Sequence, residues 1–250
     1  MNNTKSPLIP TDCIQNWNTA RQNQNLVTSL LNEAGNYFLL DTGNISSLFN
    51  TLHIYMGCND NEIQLFSVPG IADNFDNLQI SHERYLSSNS GQENPLDMKG
   101  YINSKLLPIT LSSVKENIEE KIVGEPSPQE QLLINSINNW GEVGSINNWV
   151  ESIFEKGAAE QMVQVFDIDI SDFKPGQIHA CYFALTTSGV VDLVIVNTET
   201  NQILNLFKDQ TNYDSQSEFR DMARPVPPFG QDIFTRQLEF GILSTLGIFE

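Results

Sequence analysis

A fixed order of residues recurs along this chain, and a repeat of that kind constrains the fold before any single element does. An Ile-x-Asn-Trp start at Ile14, Asn16 and Trp17 returns at Ile146, Asn148 and Trp149. Phe38-Leu39-Leu40-Asp41 returns as Phe166-Asp167-Ile168-Asp169, and Leu52-His53-Ile54-Tyr55 as Ile178-His179-Ala180-Cys181-Tyr182. Glu62-Ile63-Gln64-Leu65-Phe66-Ser67-Val68 is matched by Val190-Val191-Asp192-Leu193-Val194-Ile195-Val196, and Asp97-Met98 by Asp221-Met222. The order is kept while the spacing drifts, as short loop insertions produce. Residues repeated in both halves are expected to build the unit rather than to carry its chemistry.

Local signals place elements on this frame. Residues 1–10, with Pro7 and Pro10, read as an irregular arm. From Thr11, a candidate N-cap, the apolar positions Ile14, Trp17, Leu26, Val27, Leu30 and Leu31 predict one interrupted helix or two short ones, closed by Gly35-Asn36. Tyr37 to Leu40 predicts a strand. Residues 52–58 and 62–68 predict a hairpin across Asn59-Asp60-Asn61, residue types that tolerate positive φ. A short strand is expected at 78–80, a loop at 87–97, and a helix from the Ser113-x-x-Glu116 capping box to Val123. Gly124-Glu125-Pro126 separates the halves. Ser127, Pro128 and Glu130 form a strong helix start. Strands follow at 163–168, 178–186, 190–197 and 202–207, with a turn at Thr187-Ser188-Gly189. Arg224-Pro225-Val226-Pro227-Pro228-Phe229 must be extended, and 232–246 reads as an amphipathic helix.

Helices and strands running in blocks give an α+β chain. It is expected to hold two tandem similar modules, each a helix or helix pair followed by a mainly antiparallel β-meander of about four strands. Residues 1–125 form the first module with a helical linker. Residues 126–250 form the second, with the Pro-rich segment and a C-terminal helix.

The series of Trp-bearing helix, Phe-x-x-Asp strand, His-containing hairpin, aliphatic strand and Pro225-x-Pro227-Pro228 resembles a family of small uncharacterised bacterial proteins built from one such unit. The resemblance implies a duplicated form of that unit. It implies nothing about mechanism, because no activity is assigned to the family.

Composition limits the function classes. Against 13 Lys and Arg stand 31 Asp and Glu, a net charge of -18, spread over both halves and not gathered into a tail. Such a field repels phosphate backbones, so nucleic acid is not an expected partner. No run of about 18 apolar residues predicts a membrane span, and the start of the sequence lacks the apolar core of a signal peptide, so a cytoplasmic protein is expected. Cys13, Cys58 and Cys181 are odd in number and lack metal-like spacing, which points to buried small side chains.

Candidate chemistry is sparse. His53 and His179 read as equivalent strand positions, and Cys181 lies two residues from His179, on the same face of a strand. His82 with Glu83 and Asp76, or Asp41, Asp167, Asp169 and Asp172, could be read as cation ligands, but Asp at strand ends more often starts a turn. No metal site, cofactor or catalytic set is expected. Trp17 and Trp149 read as equivalent helix anchors, whereas Trp140 has no counterpart and is expected at the contact between modules. Together with Arg224, Phe229, Phe234 and Phe240 it is a candidate interface residue, since these types are enriched at binding hot spots. The expected function is non-enzymatic: binding a protein partner, or self-association, with an acidic inhibitor or immunity protein against a basic toxin or enzyme as one form. The alternative is a hydrolase or small-ligand enzyme with its site in a cleft between the modules.

Overall fold

The computed structural model describes residues 9–44, 50–77, 102–107, 127–200, 203–204, 224–226 and 240–248. The strand expected at 78–80, the helix at 113–123, Phe229 and Phe234 lie outside the described residues.

Helix α1, Pro10–Ala20, starts with proline at its first position, where no N–H is needed. The expected cap Thr11 therefore lies inside the helix, buried. Asn23 separates α1 from α2, Gln24–Glu33, and caps the second helix by accepting the Leu26 amide at 3.1 Å. Helix α3, Pro128–Gly141, carries the capping box: the Ser127 hydroxyl accepts from the Glu130 amide at 3.2 Å, and Glu130 accepts from the Ser127 amide at 2.7 Å. Glu142 divides it from α4, Val143–Glu155.

The strands are β1 Tyr37–Asp41, β2 Thr51–Asn59, β3 Glu62–Pro69, β4 Ile102–Lys105, β5 Val165–Asp169, β6 Ile178–Leu185, β7 Val191–Asn197 and β8 Arg224–Val226. The β2–β3 hairpin turns through Asp60 and Asn61, both at positive φ, and the β6–β7 turn uses Gly189 at φ 82°. A short helix α5, Gly241–Thr245, follows. The chain is thus a mixture of helix and antiparallel sheet.

The pairing differs from two separate meanders. One sheet has the order β1-β6-β7 and the other β4-β3-β2-β5-β8. Strand β1 pairs with β6 from the other half of the chain, Phe38 opposite Cys181, and β5 pairs with β2, Phe166 opposite Ile54. Each half therefore gives its first strand to the other half's hairpin. From β1 to β2 the chain passes from one sheet to the other, and from β5 to β6 it passes back. The residues flanking these strands hold each other: the Thr42 hydroxyl donates toward the Lys174 and Gln177 carbonyls, and the Ile170 amide donates to the Asn50 carbonyl at 2.9 Å.

The central strands β2 and β6 are covered on both faces and read as nearly continuous apolar runs. Alternation decides which core each residue joins. Phe38, Leu52, Ile54, Met56, Phe166, Cys181, Phe183 and Ile195 fill the space between the sheets, where Phe166 meets Phe183 edge to face at 5.5 Å. Helix α1 covers the outer face of β2 and β3, with Cys13, Ile14, Tyr55 and Phe66 in one cluster. Helix α3 covers β6 and β7, with Leu133, Ile137, Ala180 and Val194 in another. Helices α2 and α4 pack together beside the central core.

Asn16 donates to the Cys58 carbonyl at the end of β2, at 3.3 Å, and Asn139 donates to the Leu185 carbonyl at the end of β6, at 3.1 Å. Trp149 lies in the following helix, α4. His53 points to the outer face of β2 against Phe240, whereas His179 meets Phe173 of the central core, so the two histidines point into different cores.

Produced separately, 1–125 and 126–250 are expected to lack cooperative unfolding transitions, because each hairpin misses the strand that covers its edge. Co-expressed, they should co-purify as one folded complex. Circular dichroism with denaturant titration checks this, and a cooperative transition in either half alone would contradict the pairing.

Candidate functional site

The strongest gathering of titratable groups lies on the outer face of β2, beneath α1 and α5. His53 and Tyr55 share that face. The His53 Nδ1 donates to Asp73 Oδ2 at 2.6 Å, its Nε2 stands 3.4 Å from Asp167 Oδ1, and the Tyr55 hydroxyl donates to the same Asp73 Oδ2. Asp167 comes from β5, directly opposite His53 in register. The other oxygen of Asp73 accepts the Ile242 amide at 3.1 Å, at the start of α5. The Asp73 side chain is fully buried, that of His53 is 6% exposed and that of Asp167 is 18% exposed. Phe240 closes the site with its ring 4.7 Å from the imidazole.

Electrostatics make this a charged cluster at neutral pH. Burial pulls the His53 pKa down, but hydrogen bonds to Asp167 and Asp73 and their charges outweigh it and lift the imidazole to about 9. Burial and the neighbouring Asp73 push the Tyr55 phenol well above its ordinary range, so it acts as a donor. Every donor here is turned to one of two carboxylates. The arrangement can hold a proton and tie chain segments together.

A second buried cation sits at the end of α1. Arg21, 4% exposed, donates through its Nη1 to the Glu160 carbonyl at 2.6 Å and the Met162 carbonyl at 3.0 Å, while Nε and Nη2 donate to Asn18 Oδ1. Burial lowers its pKa to about 10, which keeps it charged. The guanidinium binds the segment leading into β5 where a carboxylate would otherwise be its partner. Trp17 reinforces this link by donating from Nε1 to the Val163 carbonyl at 2.9 Å.

The other candidates are dispersed. His179 Nε2 accepts the Lys174 amide at 3.0 Å, its ring meets Phe173 edge on at 5.3 Å, and burial lowers its pKa, so it is a neutral acceptor. Burial pushes the Cys181 thiol far up and the Cys13 thiol to about 12, which keeps both protonated and unreactive. Asp41 accepts the Gly43 amide at 2.7 Å and Asp169 the Ser171 amide at 2.8 Å, the turn role of aspartate at the ends of β1 and β5. Among the described residues no group of three His, Cys, Asp or Glu is placed to hold a metal. Nor is any described helix long and apolar enough to cross a membrane. His82 and Glu83 lie outside the described residues.

Of the interface candidates, Phe240 is 0% exposed against His53, and Trp140 is 4% exposed, stacked on Phe183 at 4.9 Å. Both are core residues, because α5 and α3 turn them inward. Arg224 stands opposite Asp167 in the β5–β8 register. An open concavity among the described residues lies elsewhere: a groove of about 730 Å³ between α4 and the β6–β7 turn, lined by Asn148, Trp149, Ser152, Lys156, Thr187 and Ser188 among others. Trp149 is fixed there by donating to the Gly189 carbonyl at 3.0 Å.

Comparison with protein-family models, curated proteins and solved structures gave no match. The resemblance to single-unit bacterial proteins rests on the residues quoted for it.

Asp73, Tyr55 and Arg21 were not legible as site residues, since their partners lie far off in sequence. Asp192 had a readable signal: one carboxyl inside the run Val191-Asp192-Leu193-Val194. It is 2% exposed, lies opposite Ala184 on the face covered by α3, and receives the Leu193 amide at 2.7 Å. Burial lifts its pKa well above the usual range. A carboxyl raised on folding stabilises fully below its unfolded pKa of about 3.9, and that stability is lost as pH rises toward the folded value. Asp192→Asn should therefore stabilise the protein at pH 8 by about 1 kcal/mol or more, and by less at pH 5. Urea denaturation at the two pH values tests this. An equal effect at both would show that ionisation of Asp192 plays no part.

Proposed function

We propose that this chain is a duplicated unit of two helices, a donated strand and a hairpin, and that it works as a non-enzymatic acidic protein that binds a basic protein partner. Reciprocal strand donation, the matched Asn16 and Asn139 bonds and the matched Asp41 and Asp169 turns support the duplication.

One observation carries the binding reading. Among residues whose side chains are described, the cations are His53 and Arg21, which are buried, and Lys156 and Lys174, which are exposed. Exposed carboxylates include Asp12, Glu33, Asp60, Glu62, Glu142, Glu151, Glu155, Glu160 and Glu199. The outward field is therefore negative, and it favours a partner of opposite sign over a second copy carrying the same -18. Helix α4 offers a place to dock: Glu151 and Glu155 lie along the helix row of Asn148, beside the Trp149 groove. A partially exposed tryptophan ringed by polar groups is a common anchor. The competing enzyme in a cleft between halves would need open space where Ile54, Phe166 and Phe183 are packed. A cytoplasmic setting and an inhibitor or immunity role belong to the same proposal.

Affinity capture from native extract, followed by kinetics with the purified captured protein, tests this. Association is expected to slow by about tenfold or more between low and high salt, and to slow likewise in Glu151→Lys with Glu155→Lys. Trp149→Ala should act on dissociation, with about 2 kcal/mol of affinity lost. An acidic partner, or an association rate indifferent to salt, would refute the reading.

A further inference from the structure

The groove beside Trp149 differs in composition from the surface around it. The chain has 31 Asp and Glu, and α4 itself exposes Glu151 and Glu155. Yet among the described residues no Asp or Glu lines the groove. Seven of its lining side chains carry a neutral hydroxyl or amide, and Lys156 is its one charge. The reason lies in helix spacing. Ser145, Trp149, Ser152 and Lys156 follow one another at steps of three or four and form the row of α4 that lines the groove, whereas Glu151 and Glu155 fall on the row beyond Asn148.

The polar groups on its rim are not spent on the fold. The side chains of Asn148, Ser152, Lys156 and Thr187 make no hydrogen bond or ion pair to any described residue. Beneath them Val163, Leu185 and Val191, each at most 5% exposed, give an apolar floor. Trp149 already donates from its Nε1 to the Gly189 carbonyl, so what it offers a ligand is the ring. At about 730 Å³ the space is of small-ligand size.

We propose that this groove is a binding site for a neutral oligosaccharide. A sugar ring has a face of C–H groups, polarised positive by neighbouring oxygens, that packs on the negative face of an indole. Its perimeter is made of hydroxyls. Each hydroxyl donates and accepts, as the Asn148 amide and the Ser152 and Thr187 hydroxyls do, so a sugar replaces the water on these groups without leaving one unpaired. Lys156 supplies a further donor. Other ligand classes match the lining less well. A cation finds no carboxylate there. A polyanion meets the field of a chain of net charge -18 with one ammonium to hold it. A wholly apolar ligand strips water from the rim and gives its polar groups nothing in return. The site is additional to the protein-binding surface, with which it shares Trp149.

The full-length protein, displayed as streptavidin tetramers so that weak sites add, is applied to an array of neutral and acidic glycans. The strongest binder is then titrated against the monomer by NMR observed on the glycan. Neutral glycans should be captured, with a monomer dissociation constant below about 1 mM. Trp149→Ala should weaken binding by about tenfold or more, and Trp149→Phe, which keeps a ring, by less. Ser152→Ala with Thr187→Ala should cost about tenfold, and serves if Trp149→Ala fails to fold. Lys156→Gln keeps a donor without the charge and should bind within about twofold of wild type. Glu151→Lys with Glu155→Lys should leave sugar binding as it is while changing association with the basic partner, so either reading can fail alone. An array without binders, capture of acidic glycans alone, wild-type affinity in Trp149→Ala or in the Ser152 and Thr187 double variant, or loss of binding in Lys156→Gln would each overturn the assignment.

Discussion

The exchange of first strands between the two hairpins is the constraint on which everything else rests. Strand β1 completes the sheet of β6 and β7, and β5 stands between β2 and β8. Phe38 and Phe166 enter the same central core from opposite sheets, and Phe183 touches both. Neither half can close this core by itself, since each supplies one layer's hairpin and the other layer's added strand. The helices follow from that arrangement. With both inner faces turned together, the outer faces need cover, and α1 and α3 provide it.

Polar groups are used where apolar packing alone would leave two segments unregistered. Arg21 and Trp17 clamp the approach to β5 onto α1, and the crossing loops bond to each other through Thr42 and Ile170. A buried hydrogen bond of this kind contributes only about 1 kcal/mol net, but leaving one of its groups unpaired costs more. Such bonds select one assembly among several with equal apolar burial. His53, Asp73 and Asp167 do the same with charge, and the desolvation they incur makes their geometry more demanding than that of any apolar neighbour.

Much of this was legible because it is written locally. The β2–β3 and β6–β7 hairpins follow from turn residues flanked by apolar runs, and α3 from Ser127, Pro128 and Glu130. The recurring order of residues predicts two separate meanders, whereas the strands pair across the halves. Two Ile-x-Asn-Trp tetrapeptides stand close together in the second half, at 137–140 and 146–149, and only contact with a strand distinguishes them. His53 and His179 each follow an aliphatic residue, yet one lies against Phe240 on the outer face of β2 and the other against Phe173 of the central core. Phe240 and Trp140 show the remaining limit: an aromatic side chain reads alike whether it anchors a partner or fills a core. Asp73 had no signal, because its partners are a hairpin before it and a helix near residue 242.

Strand exchange also bears on how the protein is made. Leu39 pairs with Ala180, so at synthesis rates of about 5–20 residues per second β1 waits on the order of ten seconds for its partner to emerge. During that time the β2–β3 hairpin has formed nothing against its β5 side, and two apolar strand edges face the ribosome's surroundings. An acidic nascent chain repels its neighbours on the same polysome, and that repulsion keeps edges apart which would otherwise pair between chains. The net charge of the finished protein is thus already at work before the protein has folded.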